Sequence, residues 1–375
     1  MTEQDKNIQQ HLGESADLLR DRAIAAQDLG DLVDAERLYN ESLEINRKLG
    51  NQAGIASDLH NLGTMAQARG DLLNARQFYD ASLEISKAIG NQNGIASTLH
   101  ELGRLAQFQG DLVEARLLFN ESLEIAYKLD DESGVASTLG QLALLAQNQG
   151  EIEEAQRLFN KSLEISKKQG DQKSTAGTLH NLAIMAQNIG ELAEAQRLYS
   201  ESLEITKKLG NQSRIARTVH QLALVAQDQG KFDEARQLYN ESLEINKKLG
   251  NQSGIASTLH QLGNITYIQG ELNEARQLYQ ESLEIKKKLG NQSGIAITLH
   301  QLAILAQDQG ELTEARRLYN ESLEIAKSLG DQSGIASTLH ELGRLAQNQG
   351  ELAEARRLYD ESLEIKKSLG NQSGI

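Results

Sequence analysis

The chain has 375 residues, a formal net charge of −15, no Cys, no Pro and only 4% aromatic residues. Without Cys there is no disulfide framework, thiolate metal site or Cys nucleophile. An acidic balance without clustered Lys and Arg argues against nucleic acid and an anionic membrane surface, and no apolar stretch approaches a membrane span.

Residues 1–13 read as a polar leader with no apolar run for a signal peptide, so a cytoplasmic location is the expectation. From residue 14 a 40-residue unit is repeated nine times without insertion or deletion. Gly30, Gly70, Gly110, Gly150, Gly190, Gly230, Gly270, Gly310 and Gly350 mark the period. Such a period predicts a solenoid whose units pack only on their neighbours. The reading is one solenoid over 14–369, with 370–375 starting a tenth copy. The first copy is degraded: His11 stands where an Asn cap belongs, Arg20 where His belongs and Arg22 where Leu belongs. Polar substitution suits a solvent-facing outer helix.

The copy at 291–330 shows the unit clearly. Asn291 follows Gly290 and can N-cap a helix through its side-chain oxygen. Ile295, Leu299, Leu302 and Ala306 recur at helical spacing until Gly310 ends the helix. Glu311 opens a second helix, where an acid suits the positive dipole end. Leu312, Ala315, Leu318, Tyr319, Leu323 and Ile325 form its apolar side, and Gly330 caps it. Each helix should run about 17 residues, roughly 25 Å. Tight turns make the two helices antiparallel, and small residues at 315, 322 and 263/303 sit where they should cross. The Tyr at 319 needs such a neighbour.

Leu299, Leu302, Ala303, Ala306, Ala315, Tyr319 and Ser322 follow the order of the tetratricopeptide repeat, which this chain resembles over 14–369. Two departures stand out. Leu replaces the large aromatic of the first helix, and Lys327 stands where Pro would end the second. The longer second helix accounts for 40 residues in place of 34, as in the long-repeat branch similar to kinesin light chains and bacterial sensor arrays. The resemblance implies an all-α fold: an α-solenoid of nine antiparallel helix-turn-helix repeats wound as a right-handed superhelix, with first helices lining a concave groove.

By that alignment the groove carries His60, His100, His180, His220, His260, His300 and His340, one rung per copy, with a ladder of Gln that includes Gln227 and Gln307. Three readings of the histidines compete: copied scaffold residues with one hydrogen bond each, contacts to an extended peptide, or metal ligands. Metal fits worst, because equivalent residues on adjacent copies lie about 10 Å apart and zinc needs ligands at about 2 Å. Imidazoles near their ordinary pKa would charge between about pH 7 and 5.5.

Departures from the repeat mark candidate contacts: Arg104, Arg217, Asn264, Tyr267 and Arg344 in the groove, with Gly140 where a rung is lost, Arg214 in copy six, Lys173 in the copy-five turn and Phe108 as the only aromatic at its repeat position; Asp130 in place of Gly reads as drift. Tyr and Arg are the types that make hot spots. No Ser–His–acid set, cofactor motif or metal motif can be argued. The expectation is a non-catalytic scaffold, without cofactor, that holds a protein or peptide in its groove; end-to-end self-stacking through the uncapped last repeat is a further expected partner mode. The alternative is a ligand-sensing array of a larger bacterial signalling protein, fused to an ATPase switch or protease.

Overall fold

The computed structural model describes residues 3–370; the expected start of a tenth copy at 371–375 lies outside the described residues. Among the described residues there are eighteen helices and no strand. They fall into two compact units, 1–185 and 186–375, with the division inside one helix.

The first unit holds α1 (Glu3–Asp28), α2 (Leu32–Leu49), α3 (Gln52–Ala68), α4 (Leu72–Ala88), α5 (Gln92–Gln109), α6 (Leu112–Lys128), α7 (Glu132–Asn148), α8 (Ile152–Gln169) and most of α9 (Gln172–Asn188). The second holds α10 (Leu192–Lys208), α11 (Gln212–Asp228), α12 (Phe232–Lys248), α13 (Gln252–Ile268), α14 (Leu272–Lys288), α15 (Gln292–Asp308), α16 (Leu312–Leu329), α17 (Gln332–Asn348) and α18 (Leu352–Ser368). Seventeen of the helices have 17 or 18 residues. The exception is α1, with 26. Gln10 and His11 replace the Gly–Asn stop and start of later copies, so nothing interrupts the backbone and residues 3–13 continue the first helix.

The turns follow the sequence. Gly310 takes φ 79 and Gly330 φ 69, the left-handed conformation that Gly adopts without a Cβ penalty. Asn91 and Asn291 accept from the backbone N–H of Gly94 and Gly294 at 3.1 and 2.9 Å. Asp31, Asp71 and Asp111 cap second helices in the same way. Glu311 does not: it makes no capping bond and instead accepts from Arg276 of the preceding copy at 2.6 Å. Arg236 reaches Glu271 and Glu274 likewise, so outer-face ion pairs link second helices, each worth about 0.2–1 kcal/mol.

Within each unit, every odd helix other than α9 packs most extensively on the even helix after it. The crossing needs small residues: an ideal Cβ on Gly63 would come within 2.7 Å of the Tyr79 ring, and on Gly263 within 2.7 Å of Tyr279. Ser82 and Ser322 do more than leave room. Their buried hydroxyls donate to the carbonyl oxygens of Ala56 and Ala296 at 2.7 and 2.8 Å, tying second helix to first. Within each unit successive odd helices also meet, α3 with α5 and α5 with α7 in the first, α11 with α13 and α15 with α17 in the second. Within each unit the odd helices therefore share a face, on which the ladder residues stand.

Candidate binding groove

The histidine rungs are spent on joining copies. His60 Nδ1 lies 3.1 Å from the Oγ1 of Thr98 on the next odd helix; His100 meets Thr138 at 3.1 Å, His220 meets Thr258 at 3.2 Å, His260 meets Thr298 at 3.3 Å and His300 meets Thr338 at 3.2 Å. Each ring also packs on the aromatic of its own second helix, His220 on Tyr239 at 5.2 Å and His100 on Phe119 at 5.6 Å between centroids. His180 is the most enclosed rung, at 6% exposure. His340, in the ninth copy, is exposed and packs on Tyr359.

This enclosure overturns the expectation of ordinary titration. Burial lowers the pKa of His60, His100 and His300, partly opposed by Glu101 or Glu341. It pushes His220 down to about 4, and His260, with the charge of Lys286 added, to about 3. His220 and His260 therefore stay neutral between pH 7 and 5.5. Among the described residues no group of three or more His, Asp or Glu is placed to hold a metal.

The glutamine ladder is occupied too. Gln227 accepts from the Tyr239 hydroxyl at 3.1 Å, and Gln307, itself buried, from Tyr319 at 3.3 Å. A buried phenol needs such a partner. Copy seven solves the same problem differently. Tyr267 has replaced the Gln, so the Tyr279 hydroxyl donates to Asn264 at 2.7 Å. Tyr267 itself donates to Asp308 of the next copy; burial first and that carboxylate second push its pKa up to about 12. Asn264 and Tyr267 are thus a matched substitution that preserves the scaffold. Arg104 and Arg344 are exposed but tied to Glu101 and Glu341 at 2.9 and 2.8 Å. Arg217 is exposed and carries no ion pair among the described residues; desolvation around its guanidinium, and then Arg214, lower its pKa.

Between adjacent odd helices the face opens into clefts. One of about 240 Å³ lies between α3 and α5, one of about 310 Å³ between α5 and α7, and one of about 370 Å³ between α15 and α17. Their floors are formed on the second helix by Ser82, Ser122 and Ser322 and by one varying repeat position, occupied by Ser86, Ala126 and Ala326. Where that position carries a longer side chain, the side chain turns inward. Asn46 donates to Asp58 at 2.8 Å, Asn246 to the Ser242 carbonyl at 3.0 Å and Lys286 to Thr298 at 2.8 Å. The buried Ser86 hydroxyl has no hydrogen-bond partner. Sequence reasoning missed this position; its variation from Asn to Ser, Ala, Thr and Lys within an otherwise regular helix was the available signal. A further cleft of about 250 Å³ opens between α14 and α16.

Helix pairs bonded copy to copy within each unit define a helical-repeat protein. The chain belongs to the tetratricopeptide repeat family: the family model matches residues 54–128, 134–208, 214–288 and 294–368, and a second model of the same description matches 16–41. No curated protein matches the sequence. Among solved structures, the apo form of RapI is similar at TM-score 0.61 and 17% identity, over 73% of this chain and 98% of that one. A Rap protein complexed with Competence and Sporulation Factor matches at 0.61 and 14%, over 96% and 99%. A Signal Transduction ATPase with Numerous Domains protein with a tetratricopeptide repeat sensor, from Pyrococcus horikoshii, matches at 0.69 and 14%, over 89% of this chain and 53% of that one. At such identities the likeness is one of fold. No helix among the described residues is long and apolar enough to cross a membrane.

Proposed function

We propose that the chain is a non-catalytic interaction scaffold that holds a peptide or helical segment of a protein partner along its concave face of odd helices. The observation that carries this reading is the recurrence of the same inter-helix cleft, at the same repeat position, on three copies. Two of these clefts, between α3 and α5 and between α5 and α7, lie one repeat apart, a spacing that suits successive side chains of an extended ligand. The similar fold of a Rap protein complexed with Competence and Sporulation Factor supports it. Because the histidines and most ladder amides are engaged in the scaffold, partner contacts fall to the cleft walls and to Arg217, a cation without an ion pair among the described residues. The site is cytoplasmic on this reading and needs no cofactor.

Hydrogen exchange on the chain with a peptide selected from a random library tests the proposal. Slowed exchange should map to α3, α5, α7, α15 and α17. Protection confined to even helices would move the site to the outer face. The similar fold of the archaeal repeat sensor supports an alternative, a sensing array joined to an ATPase or protease; in that case a bound peptide should change the activity of the joined domain.

A further inference from the structure

Two of the three clefts are the same site built twice, once in each unit. In the first unit the floor is Ala126 and the rim carries Asp131; in the second the floor is Ala326 and the rim carries Asp331. Each Asp accepts the Gly N–H of its helix start through Oδ1 at 2.9 Å, and among the described residues no hydrogen bond engages Oδ2. The Ser86 cleft differs at both positions, having a hydroxyl floor and neutral Asn91 at the rim. The pairing of an Ala floor with an Asp rim five residues later thus accompanies the two larger of the three clefts.

We propose that these two clefts are subsites for basic side chains, and that the partner presents Lys or Arg to Asp131 and Asp331. The inference rests on the groove being a peptide-binding face. A methyl floor admits the aliphatic stem of such a residue, and the rim carboxylate meets its head. The imidazoles of His100 and His300 border the two clefts, engaged with threonine, and burial disfavours their charged form, which limits repulsion of a cation. Glu101, which also lines the first cleft, holds Arg104 in an ion pair at 2.9 Å. An acidic peptide would meet a carboxylate in both clefts, and an aromatic one would leave the rim carboxylate desolvated without a partner.

The full chain, immobilised and panned with a displayed library of random dodecapeptides, provides the test. Selected peptides should be enriched in Lys and Arg. The double variant Asp131→Asn with Asp331→Asn should lose at least tenfold in binding to them, while melting like the parent, since Asn caps the same helix start at Asn91 and Asn291. The double variant Ala126→Asn with Ala326→Asn should also lose binding, because Asn fills this position in copies one and six. Peptides without basic bias, or peptides bound equally by the Asp131→Asn/Asp331→Asn variant, would overturn the subsites and leave the groove reading standing. A library yielding no binder would remove the groove reading and this inference with it.

Discussion

Arg20 Nε donates to Asp58 Oδ1 at 2.9 Å, across the same offset of 38 residues that joins histidine to threonine in five other copies. At the first junction an ion pair has replaced the neutral bond, with both partners changed together. Asp58 is fully buried and also accepts from Ser42 at 2.9 Å and Asn46 at 2.8 Å. What reads in sequence as polar decay of an outer helix is a second solution to the same junction.

The pair makes a sharp expectation. Arg20→Ala strands a buried carboxylate and should cost about 3–5 kcal/mol. Restoring the common pair with Arg20→His and Asp58→Thr together should recover stability to within about 1 kcal/mol. In a repeat array the loss should stay local, so hydrogen exchange in α1 is the measurement. Equal exchange in all three proteins would show that the ion pair contributes nothing.

Stability should fall on acidification before most carboxylates titrate. In the unfolded chain histidine takes its proton near pH 6.5; in the fold His220 waits until about 4 and His260 until about 3. Between those values the unfolded state binds more protons, so stability present above about pH 6.5 is lost as pH drops toward 4. Each depressed unit is worth about 1.4 kcal/mol per group. Melting temperature should decline over that range, and less steeply in a His220→Gln/His260→Gln variant. The affinity of a groove ligand should stay flat between about pH 7.5 and 5.5.

Asp130 is the sole non-glycine residue with positive φ among the described residues, at 53, where other copies carry Gly. A Cβ in the left-handed region is disfavoured. Asp130→Gly should stabilise the first unit by about 0.5–1 kcal/mol. A lower melting temperature in that variant would mean the Asp130 side chain makes up for its backbone.

Lys286 lies buried with its ammonium 2.8 Å from Thr298, and desolvation lowers its pKa to about 8. The unfolded chain holds that proton to near pH 10.4, so its penalty fades as pH rises from about 8 toward 10. Lys286→Ala should relieve the penalty at neutral pH and open a cleft between α13 and α15. Adding Asn291→Asp would complete the Ala–Asp arrangement of the other two sites. A third site for basic peptides, read as increased stoichiometry in calorimetry, is the expected result; unchanged stoichiometry would show that floor and rim are insufficient.

Much of this molecule is determined by sequence alone because its interactions are local or strictly periodic. Glycine at fixed intervals ends each helix, Asn and Asp start the next, and the small residue facing Tyr279 or Tyr319 lets two helices cross. The positions of the ladder follow from the same period. Only the tertiary structure decided what the ladder does. His60 and Thr98 belong to different copies, and nothing in one period says that the first is satisfied by the second. Likewise, the burial that holds His220 neutral comes from the neighbouring copy and from Tyr239. Whether the position of Asn46, Ala126 and Lys286 is open or filled depends on how a side chain turns under the next helix. Helical pattern reports which face is inside; the donors, acceptors and empty space on that face are set by packing between copies.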